Sequence, residues 1–311
     1  MIGVTIGATL LFTRDGYGSS TPPDASVPSD IASANDTGPV EIITEEPTCE
    51  AYRGINNALA GIETNGWADE RGTLGSETEW TSEQRQQVEG AATAIRNATG
   101  QAVKLAKQTP HRVVRELYEQ FIAYGRAYAD SIANYTAADN YLASANVSAG
   151  RAITALCNAI ENGAINRALA VAPADSPLAT ASVISPEDAQ PFIAEPNQIC
   201  SRWLELDKQF NVDTADWQNS DTSLTADQWS PEQRAIHLAA LPRLAEYADD
   251  IESLGEQSDN TVIADFTQAA AIYLRAYVSA GNSYVQADSF LASTAFRFGN
   301  TVTSACQAQL D

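Results

Sequence analysis

The residues from Trp80 to Cys157 return, without a gap, from Trp229 to Cys306, at a constant offset of 149 (229 − 80; 306 − 157). Trp-Thr-Ser-Glu-Gln-Arg at 80–85 is echoed by Trp-Ser-Pro-Glu-Gln-Arg at 229–234. Tyr124, Arg126, Tyr128, Tyr135, Asp139 and Leu142 then meet Tyr273, Arg275, Tyr277, Tyr284, Asp288 and Leu291. A long internal period constrains architecture before any propensity argument does. It requires two copies of one folding unit in tandem.

Within each copy the pattern is helical. Alanine is abundant, β-branched runs are short, and no alternating apolar–polar stretch reads as a strand. Four helices per copy fit the phasing: about 48–64, 82–108, 111–133 and 135–168, then 197–210, 231–255, 259–281 and 284–309. The shared Trp motif reads as a helix start. Thr81 and Ser230 sit at N-cap positions with Gln84 and Gln233 three residues on, the pattern of a capping box, and Pro231 occupies the first helical position. In the third helix Val114, Leu117, Phe121, Tyr124 and Tyr128 form an apolar stripe, matched by Ile263, Phe266, Ala270, Tyr273 and Tyr277. Ala270 stands where the first copy has Phe121, so neighbours must fill that volume or leave a void.

Each copy carries two cysteines at matching places, Cys49 and Cys157, then Cys200 and Cys306. Of three possible pairings the duplication selects Cys49–Cys157 and Cys200–Cys306. Closing loops of about 107 residues gives roughly 4–5 kcal/mol each on the chain-entropy account. Paired cysteines imply an oxidising compartment. Ile2–Phe12 is an apolar run about 17 Å long as helix, short of a hydrocarbon core of about 30 Å. It reads as the remnant of a longer membrane anchor or signal segment. The expected layout is an anchor remnant at 1–12, a flexible Gly/Ser/Thr/Pro-rich stalk at 13–47, a helical domain at 48–171, a Pro-rich linker at 172–196 and a second helical domain at 197–311. The fold class is all-α: two tandem homologous four-helix-bundle domains, each with one disulfide, behind the stalk. The apolar start ahead of a Thr-Arg-Asp-Gly stalk, the Ala-rich, Lys-poor composition and the disulfide-tied helices resemble membrane-anchored or secreted envelope proteins of high-GC actinobacteria such as the mycobacterial order. That resemblance carries no catalytic residues with it.

Eighteen basic against forty acidic residues leave a net charge of −22. Such a chain is repelled by phosphate backbones, so nucleic acid is excluded as a partner, and the membrane is approached only through the anchor. No Gly-x-Ser-x-Gly elbow, phosphate loop, dinucleotide fingerprint or zinc signature occurs, and neither His111 nor His237 matches a histidine in the other copy. His237 reads as a surface or edge residue. No cofactor or metal is expected, and no catalytic residue. The candidates for ligand binding are the repeated polar residues Tyr124, Arg126, Tyr128, Tyr135 and Asp139, with Tyr273, Arg275, Tyr277, Tyr284 and Asp288. They could line a pocket between helices. The competing reading, which the duplication favours, is that the tyrosines bury their rings and the aspartates start the fourth helix. The function expected is a non-enzymatic extracytoplasmic interaction module of the cell envelope, offering helical surfaces to a protein or polymer. The alternative is a carrier of an apolar or aromatic small molecule between Tyr-lined helices.

Overall fold

The helix starts written in the sequence set the frame of the computed structural model, which describes residues 30–168, 183–195 and 197–309. Thr81 and Ser230 each accept a hydrogen bond from the backbone N–H three residues on. Gln84 and Gln233 reach back to the cap N–H groups, completing both capping boxes. The long helices are α1 (Cys49–Ile62), α2 (Ser82–Gln108), α3 (Arg112–Ser131) and α4 (Asn140–Glu161) in the first half. In the second half they are α5 (Gln198–Asp213), α6 (Pro231–Glu256), α7 (Thr261–Ala280) and α8 (Ser289–Gln307). Among the described residues there is no strand. The all-α expectation holds, with the four helices of each half in matching order.

α4 begins later than its periodicity suggests. The Asp139 carboxylate accepts the Thr136 N–H at 2.7 Å, closing a 3-10 turn over Ala137–Asp139 before the α-helix starts. Asp288 does the same for Val285 at 2.8 Å. The aspartates do start the fourth helices, and they do so through this turn. Both expected disulfides are present. Cys49–Cys157 clips α1 to α4 and Cys200–Cys306 clips α5 to α8, with Cα atoms 5.6 and 5.1 Å apart.

α3 and α7 are the central helices, buried on nearly every face. The volume that Phe121 fills in one half is filled from elsewhere in the other. Opposite Ala270, Tyr247 and Leu274 stand where the first half has Ala98 and Gly125, and the residual cavity is about 10 Å³. Complementary exchange of large and small residues keeps both cores close-packed.

The halves are not beads on a string. The largest helix-to-helix contact in the molecule joins α4 to α8, where Ser148 and Ser304 hydroxyls meet at 3.0 Å. Nearby, the Arg112 guanidinium grips Asp265 through two hydrogen bonds of 2.7 and 3.0 Å. Arg167 donates to Asp288 at 2.6 Å.

Two segments expected to be loose are packed in the described range. Residues 30–47 are expected as stalk because their apolar residues are isolated, but Ile31, Val40 and Ile43 are each buried against the bundle. Buried polar partners supply what hydrophobic density lacks. Glu46 accepts from Thr48 and Thr109 at 2.7 Å each, Asp36 accepts the Arg112 N–H at 2.6 Å, and Ile43 N–H donates to the Tyr273 hydroxyl at 3.1 Å. The linker segment 183–195 is likewise wedged between the halves. Phe192 packs edge-on against Tyr124 and Phe266, its N–H donates to Gln120 and its carbonyl accepts from Asn260. The anchor remnant at 1–12, stalk residues 13–29, and the linker from 172 to 182 with Pro196 lie outside the described residues. Among the described residues no helix is long and apolar enough to cross a membrane.

Candidate functional site

The repeated polar residues do not converge on one pocket. Tyr128 accepts the Trp67 indole N–H at 2.9 Å, and Tyr277 accepts that of Trp217 at 3.1 Å. Tyr273 accepts from Ile43, and Tyr284 donates to the Thr222 carbonyl at 2.9 Å. The Tyr124 hydroxyl faces the Ile193 backbone, and both it and the Tyr135 hydroxyl are buried short of a hydrogen bond. Burial pushes every one of these phenols up, Tyr128 and Tyr284 to about 12, so they stay protonated. Arg126 turns away to the Glu187 carbonyl at 2.6 Å. Arg275 instead pairs with Asp249 and Glu252 at 2.7 and 2.6 Å. Asp139 and Asp288 are used by their turns, Asp288 also by Arg167. All ten side chains serve contacts within the chain, eight through hydrogen bonds or ion pairs and Tyr124 and Tyr135 through their packed rings.

The Trp motif builds the same small unit twice. Arg85 lies over the Trp80 ring at 5.6 Å and Arg234 over Trp229 at 5.7 Å, while Tyr135 and Tyr284 pack against the same rings at 5.0 and 5.3 Å. His237 joins the second unit, its ring 4.2 Å from Trp229, and is 5% exposed. The expected surface position is therefore wrong. Val88 stands at the matching place and is also buried, so His237 occupies a core site. Burial pushes its pKa down to about 4, leaving it neutral.

A second feature, which the sequence reading passed over, is the polar seam between α3 and α7. Glu116 and Asp265 occupy matching positions in the two halves and face each other across it. Burial first, then the Asp265 charge, raise Glu116 well above the carboxylate range. Arg112, Arg115 and Glu119 complete the cluster, with Arg115 Nε 3.2 Å from Glu119. Among the described residues no group of three or more His, Cys, Asp or Glu side chains is placed to hold a metal ion. The seam is closed to ligands, since Arg115, Glu116 and Gln268 are each nearly inaccessible.

One open concavity has aromatic walls. In the second half Phe210, Trp217, Tyr277 and Phe296 line a cleft of about 330 Å³, joined by Asp207, Ser289, Ser293 and Arg297. It contains one of the ten candidate residues, Tyr277, whose hydroxyl is already engaged by Trp217.

Residues 31–310 match the family model described as Mycobacterial ESX-1 associated protein. The chain is 38% identical to an uncharacterized protein of Mycolicibacterium smegmatis strain MKD8, an alignment covering 100% of this chain and 84% of the relative. No solved structure matches significantly.

Proposed function

Because the chain belongs to the mycobacterial ESX-1 associated protein family, we propose that it is a non-enzymatic, extracytoplasmic module acting with that secretion system. In this role it presents helical surfaces to a protein or polymer partner of the envelope. The two disulfides suit an oxidising location. The observation that carries the reading is the consumption of the repeated polar residues by internal contacts. What the two copies share is scaffold, so the working surface lies on the outside of the fold. Attachment to the membrane through residues 1–12 forms part of the same proposal.

The test is cross-linking and affinity capture of the full chain from mycobacterial envelope fractions. A specific partner, lost in cells lacking the secretion system, is the expected result. Purified protein that captures nothing yet turns over a substrate would sink it. A second reading, carriage of an aromatic or apolar small molecule, is favoured by the 330 Å³ cleft. Native mass spectrometry of protein from its own host separates the two, since a carrier should arrive with added mass.

A further inference from the structure

The cleft in the second half has a counterpart in the first, and there it is occupied by the protein itself. Trp67 and Trp217 hold equivalent posts, each donating its indole N–H to a tyrosine on the central helix and meeting that ring edge-on at 5.8 and 5.6 Å. In the first half the Arg71 guanidinium lies over the Trp67 ring, 5.2 Å from its centroid. Its Nη1 donates to the Asn140 side chain at 2.6 Å, to the Asn140 carbonyl at 3.2 Å and to the Ser144 hydroxyl at 3.0 Å. At the 149-residue offset Ser289 and Ser293 take the places of Asn140 and Ser144, and both line the open cleft beside Trp217. Four residues after Trp67 stands Arg71, whereas four residues after Trp217 stands Asp221. The seat is thus kept, while an acid stands at the place of the cation that fills it in the first half.

We propose that the cleft over Trp217 receives an arginine side chain from a partner protein, held as Trp67, Asn140 and Ser144 hold Arg71. The chemistry of the rim agrees. An indole face attracts a weakly hydrated, planar guanidinium. Ser293 and Ser289 offer hydroxyl lone pairs, the latter because its proton is already given to the Gln286 carbonyl at 2.7 Å. Asp207 lines the cleft. The exposed Asp221 carboxylate is held below its usual range by the Ser223 hydroxyl and N–H, and so stays charged. Arg297 also lines the cleft, one helical turn from Ser293 and eight residues from Ser289, so an entering guanidinium belongs at the Ser289 and Trp217 end. The net charge of −22 further favours a basic partner.

This inference narrows the partner-binding reading, and its test is independent of any partner's identity. In the full ¹⁵N-labelled chain, the Trp217 indole resonance is assigned by Trp217→Phe. It is then followed against N-acetyl-arginine methylamide, N-acetyl-lysine methylamide and benzoate, up to about 50 mM each. A saturable shift with the arginine compound, at least about tenfold weaker with lysine, is expected. Asp221→Arg should install an occupant and abolish the shift, and Ser293→Leu should do so by filling the seat, which covers the case of one variant failing to fold. The Trp67 resonance should not move. No shift with arginine, or a response to benzoate in its place, overturns the proposal. So does unchanged capture of the envelope partner by folded Asp221→Arg, an outcome that leaves partner binding itself intact.

Discussion

Glu119 shows how burial at the seam changes a single group. Desolvation lifts its carboxyl to about 7, with Arg115 pulling the other way. Its ordinary value is 4.5, so between pH 4.5 and 7 the native state holds a proton that the unfolded chain has released. Stability therefore falls as pH rises through that window and is fully present only below it. The cost of ionising the buried group is on the order of 3 kcal/mol. Glu119→Gln should raise stability at pH 8 by up to that amount and leave it nearly unchanged at pH 4. Urea unfolding at the two pH values checks this, and equal effects at both would refute it. Arg115 is the charge that holds the shift back, so the gain should grow if Arg115 is neutralised first. The seam had a signal in the sequence. Glu116 and Asp265 are acids at matching positions in the second turn of their helices, beyond the first-turn sites where a cap uses an acid, and duplication preserves an acid there for a structural reason. His237 gave no such signal, because its burial depends on Trp229 and Tyr284, which the chain brings to it from elsewhere.

Among the elements, the helix starts were legible because a cap is a local device. Thr81 with Gln84 and Ser230 with Gln233 satisfy backbone donors that need no partner from another element. The start of α4 was not legible, since an Asp three residues after Thr136 fits an α-helical cap and a 3-10 turn equally well. Packing between elements was readable only as compensation. Gly125 on α3 illustrates it: a Cβ there would lie 2.7 Å from Asn146 on α4, 2.7 Å from Thr99 and 2.9 Å from Ile95, both on α2. Leu274 fills the matching place in the second half. Gly125→Ala should therefore destabilise by about 1–3 kcal/mol despite the better helix propensity of alanine. A thermal melt above that of the native chain would contradict the close approach of the three helices.

At the scale of the whole molecule, the period pointed to two like halves, but how they dock was not readable from it. The outer faces of α4 and α8 carry small residues such as Ser148, Ala155 and Ser304, which resemble any modest solvent face in a sequence. Only the fold reveals that they close on each other. The same limit hid the candidate cleft, whose parts are spread over α5, α8 and the turn after Trp217. The ion pair between Arg112 and Asp265 ties this docking, with both side chains almost wholly buried. Arg112→Met alone should cost about 3–5 kcal/mol by stranding the carboxylate, whereas Arg112→Met with Asp265→Leu should recover most of that loss. Urea midpoints of the two variants make the comparison, and equal losses would show that the pair is not what holds the seam.

The segment from Asp30 to Thr48 has a mechanical consequence. It is fastened to α2 through Lys107 and Asp30, to α3 through Arg112 and Asp36, and to α7 through Ile43 and Tyr273. Tension drawn through the chain ahead of Asp30 would thus load both halves together, in shear across several bonds, instead of peeling one helix from its bundle.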